Sequence, residues 1–205
     1  NAFNDNVDIF DTKEVGIVAL TKARDKAILT ISDSVSSPKY YLYDMGKGQM
    51  KYLLTMWPEI DDAGLEEEIP FNFKNSDGVV IHGYYTRAKN QQEGQAAPMI
   101  VVPHGGPHAR DSWGFDPDTH ILSQAGYSVL KVNFRGSTGY GKEFTKLGFG
   151  EWGGDTQQDI IEATEWAIAQ GVADKEKIGI YGGSFGGYSA AMAPMLRPDL
   201  YKSSV

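Results

Sequence analysis

Cysteine is absent from all 205 residues. Its absence excludes a disulfide-stapled scaffold, thiolate zinc sites and a cysteine nucleophile. It leaves the compartment open, cytoplasmic or periplasmic, because a protein without thiols works in either redox environment. Positive charge is also short: 19 Lys and Arg stand against 27 Asp and Glu, a net charge of −8. That balance excludes nucleic acid or an anionic membrane as the main partner. No run approaches the ~18 apolar residues of a membrane span, and the first residues do not form a signal peptide. What remains is ordinary for a globular chain, with 41% hydrophobic and 22% charged residues. The length allows one domain, or one domain and a piece of another. The abundant residue is glycine, 24 in all, concentrated between Gly105 and Gly187. Glycine at that density suggests places where backbone rather than side chain forms the working surface.

Two textures meet near residue 66. From Val7 to Met56 short β-rich runs (Gly16–Leu20, Ala27–Ile31, Tyr40–Tyr43, Met50–Met56) alternate with polar turns. They read as an antiparallel meander with a hairpin at 40–56, too short to close a barrel or sandwich alone. Residues 1–66 are thus expected to be part of a larger β unit. The acidic stretch with Asp61, Asp62, Glu66, Glu67 and Glu68 reads as a solvated linker. Residues 67–205 are expected to form an α/β domain. Ile69–Lys74 and Val79–Thr86 flank an Asn-Ser-Asp-Gly turn and should pair antiparallel at a sheet edge. Strands at Met99–Pro103, Tyr127–Val132 and Lys177–Tyr181 alternate with helices at 118–124, 155–170 and about 187–195. That alternation implies a mostly parallel sheet with helices on both faces.

Three motifs carry chemistry. Gly182-Gly183-Ser184-Phe185-Gly186 fits G-x-S-x-G, and it lies between a strand and a helix, where a nucleophile elbow must lie. The helix after it would aim free N–H groups at a developing oxyanion. His104-Gly105-Gly106-Pro107 follows the strand at Met99–Pro103, the place from which an α/β-hydrolase supplies its second oxyanion-hole N–H. A metal pair of His104 with His108 needs a helix, which the intervening Gly-Gly-Pro prevents, so no metal site is expected. Gly136–Lys142 matches most of a phosphate-binding loop, but Glu143 stands where a magnesium-binding hydroxyl belongs and would repel phosphate.

These motifs, with Asn133-Phe134-Arg135-Gly136-Ser137-Thr138-Gly139-Tyr140-Gly141 between them and Gly187-Tyr188 after them, resemble the prolyl oligopeptidase family of serine peptidases. The His-Gly-Gly-Pro form is most similar to its acylaminoacyl-peptidase and bacterial dipeptidyl-peptidase branch. The resemblance implies an α/β-hydrolase fold over residues 69–205 and, in residues 1–66, the last strands of a β-propeller. It implies Ser184 as nucleophile, the N–H groups of Gly106 and Phe185 as oxyanion hole, and peptide as substrate without any cofactor. Arg135, beside glycines, is expected to brace the site as a structural anchor. Alternatives are a carboxylesterase using the same apparatus and an inactive hydrolase-like binding module. In this fold the acid and the histidine follow the serine. After Ser184 there is one carboxylate, Asp199, and no histidine; His82, His104, His108 and His120 all precede it. The expectation is therefore a fragment whose acid and base lie beyond Val205, and whose uncovered sheet edge allows a homo-oligomer.

Overall fold

The computed structural model describes residues 13–60, 62, 64–92 and 94–205. The start of the expected meander (7–12) and Asp61 lie outside the described residues. The chain divides into two compact units. One runs up to Leu65 and takes in Gly114–Asp116; the other comprises Glu66–Trp113 and Pro117–Val205. The three-residue return of 114–116 has no local sequence signature, which is why the pattern along the chain does not announce it.

The described residues of the first unit form a four-stranded antiparallel meander: β1 (Glu14–Leu20), β2 (Lys26–Asp33), β3 (Ser36–Asp44) and β4 (Gln49–Thr55), in that spatial order. Alternation along β2 buries Ala27, Leu29 and Ile31 and turns the residues between them outward, the period of two that a pleated strand requires. The turn joining β3 to β4 is closed by the Lys47 N–H, which donates to Asp44 Oδ1 at 3.1 Å.

The second unit is built on β5 (Glu68–Lys74), β6 (Val80–Thr86), β7 (Ala97–Val101), β8 (Ser128–Asn133), β9 (Ala173–Ile180) and β10 (Ser203–Ser204). Their spatial order is β10-β9-β7-β8-β6-β5. The pairs β10–β9, β9–β7 and β7–β8 are parallel, while β8–β6 and β6–β5 are antiparallel. Among the described residues four helices complete the unit: α1 (Pro117–Gln124), α2 (Lys142–Lys146), α3 (Asp155–Ala169) and α4 (Phe185–Leu196). This is the expected mostly parallel sheet with an antiparallel edge.

Every residue of β8 is buried, as befits the middle of the sheet. Against it packs the inner stripe of α3, Ile160, Ile161, Ala163 and Ala167, spaced to fall on one face of a helix. Trp166 on the same helix stacks on Phe71 of β5, ring centroids 4.2 Å apart. Strand β9 starts four residues earlier than expected, because its first half carries exposed Lys175, Glu176 and Lys177 and shows no apolar pattern. Glu68 is not part of a solvated linker. It opens β5, is buried, and forms an ion pair with buried Lys131, the compensation that a carboxylate needs when it leaves water. Strand β7 is buried on one face only: Ile100 looks into an open apolar depression of about 390 Å³, with Ile121, Leu122, Tyr127, Tyr181 and Val205 around it. Among the described residues no helix is long and apolar enough to cross a membrane.

Candidate active site

Between β9 and α4 the chain reverses through Tyr181–Ser184. Ser184 is the residue preceding α4, exposed, with φ +56° and ψ −121°. A serine with positive φ is held against its own sterics, at a cost of order 1–3 kcal/mol that the surrounding structure must supply. The surroundings do so by close packing. A Cβ on Gly186 would lie 2.1 Å from the Pro103 carbonyl oxygen, and one on Gly182 would lie 2.5 Å from the Gly186 carbonyl carbon. Helix α4 can therefore sit on the end of β7 only with glycine at both positions. These glycines serve contact rather than helix breaking, which explains why α4 begins at Phe185 and not at Gly187 as the glycine run suggests.

The 104–107 loop leaves the end of β7 and lies against this turn: a Cβ on Gly105 would be 3.6 Å from both Ser184 Cβ and the Gly183 carbonyl oxygen. Gly106 has φ +128°, a region closed to residues with a side chain. Neither the Gly106 N–H nor the Phe185 N–H has an acceptor among the described residues. His104 is buried beside the loop and stacks on Phe134, centroids 4.2 Å apart; Phe134 in turn meets Phe185 at 5.5 Å. Its Nδ1 is 2.7 Å from the Gly105 carbonyl oxygen and its Nε2 2.9 Å from Ser137 Oγ. Burial holds the His104 imidazole below its ordinary pKa, opposed by the Gly105 hydrogen bond, and the Arg110 charge depresses it further.

Around this pair runs a set of braces. Thr138 N–H donates to the Ala109 carbonyl at 2.9 Å, and His108 Nδ1 donates to the Gly136 carbonyl at 2.9 Å. Asn133 links the Asp111 carbonyl, at 3.0 Å, to the Tyr140 hydroxyl, at 2.8 Å. Arg110 donates to the hydroxyls of Tyr84 and Tyr140, each at 3.2 Å, and its guanidinium lies 4.6 Å from the Tyr140 ring centre. Arg135 is the anchor of the 135–141 loop. Its buried guanidinium donates to both oxygens of fully buried Asp159 at 2.9 Å, to Asp155 at 2.6 Å and to Asp77 at 2.7 Å. The Arg135 backbone N–H, at 2.9 Å, and Asn75 Nδ2, at 2.8 Å, add a third and a fourth donor on Asp159. The hydrogen bonds to Asp159 raise the guanidinium's pKa further, so the charge is permanent. Sequence reading singled out Arg135 but not Asp159 or Asn75, which lie 24 and 60 residues away along the chain and meet it only through the fold.

None of the four histidines is bonded to Ser184. His104 and His108 hold loop carbonyls, and His82 stacks on Tyr140 at 4.6 Å. His120 is buried on α1. The Gly136–Lys142 stretch leads into the five-residue α2, where Glu143 pairs with Lys146 at 2.8 Å. Among the described residues no three His, Asp or Glu side chains gather as a metal site.

A mostly parallel sheet, a strained serine between strand and helix, and a glycine loop from the neighbouring strand define an α/β-hydrolase. Comparison with known proteins narrows this. The model of the prolyl oligopeptidase family matches residues 113–205. Dipeptidyl aminopeptidase BIII of Pseudoxanthomonas mexicana is 36% identical over 188 residues, 88% of this chain and 27% of that protein. Among solved structures, an acylaminoacyl peptidase of Pyrococcus horikoshii superposes with a TM-score of 0.72 at 29% identity, covering 91% of this chain and 30% of the other. A puromycin-hydrolysing peptidase of Mycobacterium tuberculosis superposes with a TM-score of 0.77 at 25% identity, covering 87% and 28%. The chain belongs to the prolyl oligopeptidase family. It spans between a quarter and a third of the length of these relatives.

Proposed function

We propose that this chain supplies the nucleophile and oxyanion-binding loops of a serine peptidase that hydrolyses short peptides. The observation that carries the reading is the exposed, strained Ser184 with the Gly105–Gly106 loop packed against its Cβ. Ser184 Oγ attacks the scissile carbonyl carbon, its proton passing to a histidine base. The N–H groups of Gly106 and Phe185, free of other acceptors, take the oxyanion. The C–N bond then breaks as the base returns the proton to the leaving amine, and water cleaves the resulting serine ester by the same steps. All four histidines present are held by other groups or placed elsewhere, so the base and its carboxylate partner come from outside these 205 residues. The relatives' names point to peptide substrates, dipeptide-releasing and acylamino-acid-releasing among them. We read the four-stranded meander as one blade of a β-propeller, whose blades are four-stranded antiparallel sheets.

The test is Ser184→Ala in the protein that carries this chain. Labelling by a fluorophosphonate probe and peptide turnover should both vanish while the fold survives. Retained turnover overturns the assignment, and turnover of esters without peptides makes the enzyme a carboxylesterase.

A further inference from the structure

We infer that Phe149, Trp152 and Tyr188 form an aromatic ledge beside Ser184 that receives a large apolar side chain of the peptide, within two residues of the bond that is cut. The inference rests on the reading of Ser184 as nucleophile and adds a substrate preference to it. Exposed apolar side chains scattered singly need no explanation, but a group of them at one place marks a binding surface. Here Phe149 is 60% exposed, Trp152 51% and Tyr188 41%. Each nevertheless touches a part of the proposed machinery. Trp152 meets the ring of Phe185 at 5.9 Å between centroids and at a steep angle, and Tyr188 meets the same ring at 5.6 Å. Phe149 meets the ring of His108, two residues past Gly106, at 5.1 Å and again at a steep angle. Since Phe185 directly follows the nucleophile, the three rings adjoin both the elbow and the loop that carries Gly106.

The backbone of residues 147–153 holds these rings in place. A Cβ on Gly148 would lie 2.5 Å from Gly136 Cα and 2.9 Å from the Arg135 carbonyl oxygen, so the segment is pressed against the 135–141 loop just before Phe149. A Cβ on Gly153 would lie 2.9 Å from the Tyr188 hydroxyl oxygen, so it is pressed against α4 just after Trp152. Between these points the Phe149 N–H donates to the Lys146 carbonyl at 3.0 Å and the Glu151 N–H to the Gly148 carbonyl at 3.3 Å. The Trp152 carbonyl accepts from Gln157 Nε2 at 2.7 Å. Rings fixed in this way lose little freedom when a ligand covers them, and the cost of ordering them is already met in folding. Their position decides the occupant. Whatever covers rings that touch Phe185 while Ser184 reacts must be joined to the carbonyl under attack, which makes it a side chain of the substrate itself. The rings carry one hydroxyl and no charge, so removal of apolar surface from water is the gain, and it favours Phe, Leu or Met over Ala.

The test is a ratio of substrates, measured in the protein that carries this chain. Peptides that differ at a single position, Phe, Leu, Lys or Ala, are compared by kcat/KM for each of the two positions on either side of the cut. At one position the wild type should prefer Phe to Ala by roughly 10–10²-fold, the discrimination an apolar site can supply. Trp152→Ala and Phe149→Ala should each reduce that preference by about fivefold or more, and Trp152→Phe should keep most of it. Three results overturn the inference. One is the absence of any apolar preference in the wild type. Another is a preference for Lys, which would make the ledge a cation site. The last is an equal loss on Phe and Ala peptides, or no loss on either, which would make the rings supports of the elbow or a packing face for the rest of the protein. Where Trp152→Ala fails to fold, Phe149→Ala, the more exposed ring, decides by itself. Ser184→Ala run alongside separates the two failures. Turnover retained in Ser184→Ala refutes the nucleophile, whereas an inactive Ser184→Ala beside an unchanged preference in the ring variants refutes only the ledge.

Discussion

Three residues hold backbone that other residues could not, and each gives a separate expectation. At Gly106 an added Cβ would lie 2.7 Å from the His108 nitrogen and 3.0 Å from the Ala109 nitrogen, at a φ of +128°. Gly106→Ala should therefore displace the loop and lower kcat by about 10²-fold or more with a smaller effect on stability, measurable as a kcat–KM split beside a urea titration. At Gly186 the obstacle is the Pro103 carbonyl oxygen, 2.1 Å from an added Cβ. There the helix itself must move, so Gly186→Ala should cost about 1–3 kcal/mol of stability as well as activity. His104 gives the pH dependence. Its pKa is lowered from 6.5 in the folded state, chiefly by burial, so below pH 6.5 the unfolded chain binds the proton more readily than the folded one. Its contribution is complete above pH 6.5 and is lost as the pH falls toward the folded pKa. Unfolding free energy should decline on acidification through that window, and His104→Asn should flatten the decline; a slope that the substitution does not alter would contradict the assignment.

Among the elements, α3 is held to the end of β8 by charge as well as by its apolar stripe. Arg135 and Asp159 are both buried and meet through three hydrogen bonds, counting the Arg135 backbone N–H at 2.9 Å. Arg135→Met strands the Asp159 carboxylate in the core and should cost about 3–5 kcal/mol in chemical denaturation, the usual result of breaking a buried pair from one side. Asp77 and Asp155, each about half exposed, should matter far less when changed to Ala, under about 1 kcal/mol. Arg135→Met combined with Asp159→Leu should recover much of the loss; no recovery would mean the charges are not the source of the cost. How much of each element could be read along the chain follows from how its residues are buried. Helix α3 and strand β8 are legible because each has a clean apolar signature. The front of β9 and the short α2 are not, because most of their side chains face water and leave no periodic apolar pattern.

For the whole molecule, the proposed mechanism finds its serine and its two N–H groups in this chain, while none of the four histidines is hydrogen-bonded to Ser184. A polypeptide of these residues alone should turn over peptides about 10⁴–10⁶-fold more slowly than a protein with a complete triad, leaving oxyanion-hole and binding effects. Comparison of its kcat/KM with that of a complete relative checks this, and comparable values would mean that one of the four histidines acts after all. What the sequence determined by itself is local. G-x-S-x-G between a strand and a helix, and His-Gly-Gly-Pro after a strand, mark the turn at Ser184 and the loop at Gly106 that the proposed function uses, because close backbone approach at Gly182, Gly186 and Gly106 leaves room for glycine alone. Alternation of strands and helices likewise fixes a mostly parallel sheet, since burying both faces of such strands demands helices on each. What only the tertiary structure decided is pairwise and distant. Arg135 finds Asp159 and Asn75, His104 finds Ser137, Glu68 is drawn inside by Lys131, and residues 114–116 return to the first unit. Each of these depends on the three-dimensional course of the chain, for a charge or a proton is satisfied by whatever lies within about 3 Å, however far away it stands in sequence.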